Sequence, residues 1–206
     1  MPHQNRVTPF GTIIATPERG MLNGNRGRLH DDRGRIFRQF AVKRWLICLL
    51  EFKGRRHEVM RPGRYTDLFF LDEATALAAG HRPCAECQRG RFDLFRERWA
   101  RANPQLTSRL RPLASEIDEI LHSERTRARQ VCLSLSEVPD GTFLTDNDSD
   151  AYLVLGGELL RWSPGGYKAV NMASISFPAR VLTPASVVKT LAAGYPVDIH
   201  PSALWD

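Results

Sequence analysis

The chain is predicted to adopt an α+β fold, and three features of the sequence say so. Two segments carry helical apolar stripes, the stretch from residue 130 onward breaks into short alternating runs, and an apolar strand-like run, Trp45 to Phe52, precedes them. With 206 residues and 42% hydrophobic content the chain can bury a sizeable core as one domain or two small ones. The expected organisation is a front module over residues 1–104, built from a basic arm, a β-hairpin and helices. A connecting helix follows within 105–129, and then a β-rich module over 130–206 with a C-terminal helix.

The elements follow in order. Gly20 to Gly34 alternates glycine, asparagine and arginine, offers little to bury, and reads as a flexible arm or long hairpin loop. Strand candidates are Ile36 to Phe52, with a break, and Arg55 to Met60, which Arg61-Pro62-Gly63 ends. Asp72 is a good N-cap for a short helix from Glu73 to Ala79, with Gly80 as its left-handed exit. A second helix runs from about Ala85 to Ala102, where Phe92, Phe95 and Trp99 form one apolar stripe, and Asn103-Pro104 stops it.

A third helix spans about Ser115 to Arg129, with Ile117, Ile120, Leu121 and Ala128 on its buried side. Asp118 and His122, one turn apart, can pair there, most simply as a surface ion pair. The rear strands are Val131 to Leu135, Thr142 to Thr145, Tyr152 to Leu155, Leu159 to Trp162, Ser174 to Phe177 and Val181-Leu182, separated by proline- and glycine-rich turns. Ser163 to Tyr167 reads as a hairpin turn, and Asp146, Asp148 and Asp150 as a solvated acidic turn lacking the glycine and terminal glutamate of a calcium loop. Thr183-Pro184 opens a last helix that Gly194 closes.

Charge is unevenly distributed. Residues 1–64 hold 14 Lys/Arg against 5 Asp/Glu, residues 65–129 hold 11 against 10, and residues 130–206 hold 4 against 8. A net +9 front beside a −4 rear is the footprint expected of a polyanion-binding surface, and the excess of arginine suits bidentate phosphate contact. No run approaches the roughly 18 apolar residues of a membrane span, and the first residues do not read as a secretory leader. A cytoplasmic protein without membrane contact is expected.

The densest chemistry lies at His81 to Cys87, HRPCAEC. Cys84 and Cys87 form a C-x-x-C knuckle directly after an alanine-rich helix, and Arg82-Pro83 holds the approach extended. Two thiolates at this spacing grip one metal ion, and in a reducing compartment they point to Zn2+ rather than to a disulfide framework. Cys132, within Val131-Cys132-Leu133, reads as core.

Residues 69–88, FFLDEATALAAGHRPCAECQ, resemble the second half of the metal-binding domain of the Ada DNA-repair proteins, in which an alanine-rich helix runs into R-P-C-x-x-C. The resemblance implies a zinc knuckle and DNA as the associated polymer. That family draws its other two ligands, including its methyl-accepting cysteine, from an upstream cysteine pair for which this sequence has no counterpart, so methyl-phosphotriester transfer is not expected. His57 stands about where the later of those cysteines would fall. If Lys53-Gly54 is a two-residue turn, Cys48 and His57 become diagonal neighbours on one face of a hairpin. The expected site is Cys48, His57, Cys84 and Cys87, with His81 and His30 in reserve.

These readings lead to a zinc-binding, nucleic-acid-binding protein, DNA favoured over RNA, with the metal structural. The expected contacts are Arg26, Arg28, Arg33 and Arg35 in the arm, and Arg89 and Arg96 beside the knuckle. Two other classes compete with this: a metal-dependent hydrolase acting on nucleic acid, if the metal has only three protein ligands, and a protein-interaction module docking through the acidic rear.

Overall fold

The computed structural model describes residues 1–54, 58–127 and 129–204. The fold is α+β, with four helices and two six-stranded sheets among these residues. The first sheet contains β1 (Gln4–Val7), β2 (Ile13–Ala15), β3 (Leu22–Asn25), β4 (Leu46–Cys48), β5 (Leu68–Phe70) and β6 (Arg82–Pro83), in the spatial order β2-β1-β5-β3-β4-β6. Three helices accompany it: α1 (Glu73–Ala78), α2 (Arg89–Ala102) and α3 (Ala114–Thr126). The second sheet contains β7 (Val131–Cys132), β8 (Phe143–Thr145), β9 (Tyr152–Leu155), β10 (Glu158–Ser163), β11 (Gly166–Ala169) and β12 (Ala179–Val181), in the order β11-β10-β9-β8-β12-β7. Helix α4 (Ala185–Ala192) follows it. Among the described residues no helix is long and apolar enough to cross a membrane.

Of the segment expected to be a flexible arm or long hairpin loop, Leu22–Asn25 is instead an inner strand, and residues 26–34 lie in the long connection between antiparallel β3 and β4. β3 lies between β5 and β4, pairing antiparallel with both. Its glycines are there for close approach: a Cβ on Gly24 would sit 2.0 Å from the Leu46 carbonyl oxygen, and one on Gly20 would sit 2.1 Å from that of Phe70. Beyond β3, Arg26, Leu29 and His30 are all buried. Asp31 accepts from the Arg33 and Arg35 backbone amides and from the Arg35 guanidinium, which fixes the loop that follows.

Of the hairpin expected beyond β4, the pairing of Cys48 with Val59 is not formed, since Cys48 pairs with Asn23 and Val59 lies in a turn. Lys53 and Gly54 do take φ values of 55° and 66°, the left-handed pair that a tight two-residue turn requires. Its proposed second strand begins on residues 55–57, which lie outside the described residues, and 58–60 are not strand. β4 is flanked instead by β3 and by the two-residue β6, with which it runs parallel in the register Leu46 with Arg82 and Ile47 with Pro83. Helix α2 begins at Arg89, four residues later than expected, because residues 84–88 form the knuckle turn, closed by the Gln88 amide donating to the Cys84 carbonyl at 3.1 Å.

In the rear, β9 is where the sequence places it, and β10 and β11 form the hairpin across Pro164-Gly165. The run from Ser174 to Phe177 is not a strand; a short 3₁₀ turn occupies Met172–Ser174. Thr183 does not cap the last helix, since its hydroxyl accepts from the Phe143 amide. The Glu124 carboxylate, reaching across from α3, instead accepts from the Ser186 amide in the first turn of α4.

The cores cross the expected boundaries at 104 and 130. One hydrophobic cluster joins Leu68, Phe70, Leu77, Phe95 and Trp99 to Val187, Leu191 and Tyr195. A second joins Leu71, Ala74 and Ala78 to Phe143, Leu153, Leu160 and Tyr167. Helix α1 serves both: Ala76 and Leu77 face the first cluster, Ala74 and Ala78 the second.

Candidate metal centre

Parallel pairing brings the metal-ligating groups together. Since Ile47 lies beside Pro83, the next residues along, Cys48 and Cys84, are neighbours at the ends of β4 and β6. The Ile47 carbonyl accepts from the Cys84 amide at 2.9 Å and from the Gln88 side-chain amide at 3.0 Å, which ties the knuckle to the strand. Cys87 comes round on the turn. The three sulfurs all lie within 4.8 Å of one another. A tetrahedral zinc with Zn–S near 2.3 Å sets its sulfurs about 3.8 Å apart, so gripping the ion requires a contraction of at most about 1 Å.

The electrostatics favour thiolate at Cys84, while the Cys48 and Cys87 thiols are pushed above their ordinary value. Cys84 accepts from the Cys48 and Cys87 thiols and from the Glu86 and Cys87 backbone amides, and these donors pull its pKa far below the ordinary thiol value. Donation to Cys84, with burial, pushes Cys48 up instead. The Leu49 amide donates to the Cys87 sulfur. This is a cluster in which sulfur lone pairs converge and protons are shared, and a soft divalent cation can replace those protons. None of the cysteines is in a disulfide, and Cys132 is buried core, as expected.

His57 lies outside the described residues. The two reserve histidines are committed elsewhere. His81 is fully buried, with Nε2 accepting from Arg26 Nε at 2.9 Å and Nδ1 against the Leu46 carbonyl at 3.2 Å. Burial, then the Arg26 and Arg125 charges, hold it well below its usual pKa, so it is neutral. His30 spends its nitrogens on Thr66 Oγ1 at 2.6 Å and the Arg61 carbonyl at 3.2 Å.

The expected polyanion contacts fall into two groups. Arg26 is 1% exposed and belongs to the interior, which corrects its placement on a surface arm. Arg28, Arg33, Arg35 and Arg89 are exposed, and Arg96 is half-buried over the Phe92 ring. Several face nearby carboxylates: Arg28 with Asp32 at 3.0 Å, Arg35 with Asp31 at 2.8 Å, and Arg89 and Arg96 with Asp93 at 3.8 and 2.6 Å. Asp118 does not pair with His122. It binds Arg82 in a bidentate bridge, both contacts 2.8 Å, while His122 stands edge-on to Phe40. The sequence missed this bridge because its partners are 36 residues apart.

Fold and site together define an α+β protein with a three-thiol cluster able to ligate a metal. Comparison with protein families, with characterised proteins and with solved structures finds no match for the chain.

Proposed function

We propose that this is a zinc protein whose metal is structural and whose basic front surface binds nucleic acid, DNA in preference to RNA. The observation that carries the metal reading is the convergence of Cys48, Cys84 and Cys87 within 4.8 Å, drawn from a sheet strand and from the turn that starts α2. A cation there clamps β4 to the knuckle. The fourth ligand in this reading is His57, which closes the coordination shell and excludes hydrolytic water. The cleft between the end of α3 and the start of α4 is lined by none of the three cysteines.

Elemental analysis of the purified protein is expected to give about one zinc per chain. Cys48→Ser, Cys84→Ser and Cys87→Ser should each release it and lower the melting temperature, while His57→Ala should weaken retention against a chelator. Zinc content unchanged in all three cysteine variants would remove this reading.

Support for the nucleic-acid reading is the +9 balance of residues 1–64 together with the exposure of Arg28, Arg33 and Arg35. Log affinity should fall by about 0.9 per duplex phosphate contacted for each tenfold rise in salt. The combined Arg28→Ala, Arg33→Ala, Arg35→Ala variant should lose both affinity and salt slope while keeping its melting temperature and zinc. Absence of retention on DNA or RNA at about 50 mM salt, or retention that ignores these arginines, would replace it with the interaction-module reading.

A further inference from the structure

Away from the cysteines, a cleft of about 370 Å³ opens between the turn after β1, the segment before β4, the end of α3 and the start of α4. Its volume is that of a small-molecule site. Four arginines reach it, Arg26, Arg125, Arg127 and Arg129, against one carboxylate, Glu124. That carboxylate is already occupied, accepting from the Ser186 amide at 3.0 Å and the Ser186 hydroxyl at 2.7 Å.

Of the two inner arginines, Arg26 is held without counter-charge, while Arg125 feels the Asp118 and Glu124 carboxylates through space without bonding either. Arg26 donates from Nε to His81 and from Nη1 to the Gly11 carbonyl at 2.8 Å, both neutral, and its buried Nη2 has no partner. Arg125 donates to the carbonyls of Gly80 and Lys43. Both guanidinium groups lie over the Trp45 ring, 3.9 and 4.0 Å from its centroid. Among the described residues neither makes a salt bridge. Burial and the neighbouring Arg125 lower Arg26 to about 9, which leaves it charged at neutral pH. A buried cation with no anion is a costly arrangement unless something outside the chain supplies the charge. His122 adds a buried Nδ1 without a partner on the same wall.

We propose that this cleft binds a phosphate monoester carried on a planar organic body, with the phosphate against Arg26, Arg125, Arg127 and Arg129. The excess of three positive charges on the wall suits a group carrying about −1.5 to −2 at neutral pH better than a single carboxylate does. The aromatic walls suit a planar body: Phe10 lies beneath Arg129, and Phe40, 42% exposed, stands against His122. The same chemistry is offered by a free mononucleotide and by the 5′-phosphorylated end of a strand. The site depends neither on the metal nor on the exposed arginines of the front surface.

Calorimetry on the full chain with adenosine 5′-monophosphate, adenosine, inorganic phosphate, and a short single strand with and without its 5′-phosphate tests it. The monophosphate is expected to bind at least about tenfold more tightly than adenosine. If only the 5′-phosphorylated strand binds, and its 5′-hydroxyl counterpart does not, the proposal stands with a strand end as ligand. The Arg127→Ala, Arg129→Ala double variant, altered at exposed positions, should weaken binding at least about fivefold without lowering the melting temperature, and Arg26→Gln should abolish it. If Arg26→Gln fails to fold, the exposed pair decides. Equal binding of adenosine and its monophosphate, no binding of either phosphorylated probe at millimolar concentration, or indifference to the exposed pair would overturn the proposal.

Discussion

Asp118 shows how a residue's role depends on what the fold brings to it. By spacing its natural partner is His122; in the structure it is Arg82, with both side chains almost wholly buried, at 7% and 2% exposure. The bidentate bridge ties α3 to the approach of the cysteine knuckle. Removing one partner of a buried pair strands the other charge, so Asp118→Ala is expected to cost about 3–5 kcal/mol. The double variant Arg82→Met, Asp118→Leu should recover much of that loss. Urea denaturation of the three proteins measures it, and a loss below about 1 kcal/mol in Asp118→Ala would show that the bridge does not stabilise the fold. Cys84 and Cys87 were legible in the sequence because their spacing alone carries the chemistry. Cys48 was found by a route the structure replaces, because Arg82-Pro83 carries no strand pattern and its parallel pairing with β4 leaves no local trace. Arg26 was misplaced because an arginine among glycines and asparagines looks solvated until long-range pairing encloses it.

At the scale of elements, α1 is short and wholly buried, and the acids at its start fix its surroundings. Asp72 caps it by accepting from the Thr75 amide at 2.8 Å, and also accepts from the Tyr167 hydroxyl at 2.7 Å and the His200 amide at 2.9 Å. Glu73 accepts from the Tyr195 hydroxyl at 2.6 Å and the Asp198 amide at 3.0 Å, and pairs with Arg91. The C-terminal tail is thereby strapped to the front of α1. Burial raises the Glu73 pKa from its ordinary 4.5, with the Arg91 charge and the hydrogen bonds opposing it. The folded state therefore holds this proton more tightly than the unfolded chain does. Its contribution is greatest below pH 4.5 and declines as pH rises from there through the folded value. Relative to Glu73→Gln, the wild-type protein should lose stability over the interval above about pH 4.5, measured by melting temperature across a pH series. A rise over that interval would contradict the assignment. Asp72 as the cap and Gly80 at the exit, with a φ of 82°, were both readable from the sequence. The strap was not, because tyrosine hydroxyls find their acceptors only after the tail has folded back.

For the molecule as a whole, the sheet strands of the rear and the helical stripe of α2 were largely legible, since turn residues and periodicity are local signals. The sharing of cores was not. The front sheet buries Val187, Leu191 and Tyr195 from the far end of the chain, and Phe95 meets Tyr195 edge-to-face at 5.4 Å. The apolar stripe of Phe92, Phe95 and Trp99 announces that α2 is covered and does not say by what.

That shared core sets a timetable. During synthesis, α2 leaves the ribosome with the apolar surface meant for Val187, Leu191 and Tyr195 still open, and roughly a hundred residues must follow before they arrive. At about 5–20 residues per second the gap lasts on the order of 5–20 s. Through that interval the nascent front half presents Phe95 and Trp99 uncovered, a window in which a chaperone, or a second nascent chain, has access to surface that the finished protein never shows.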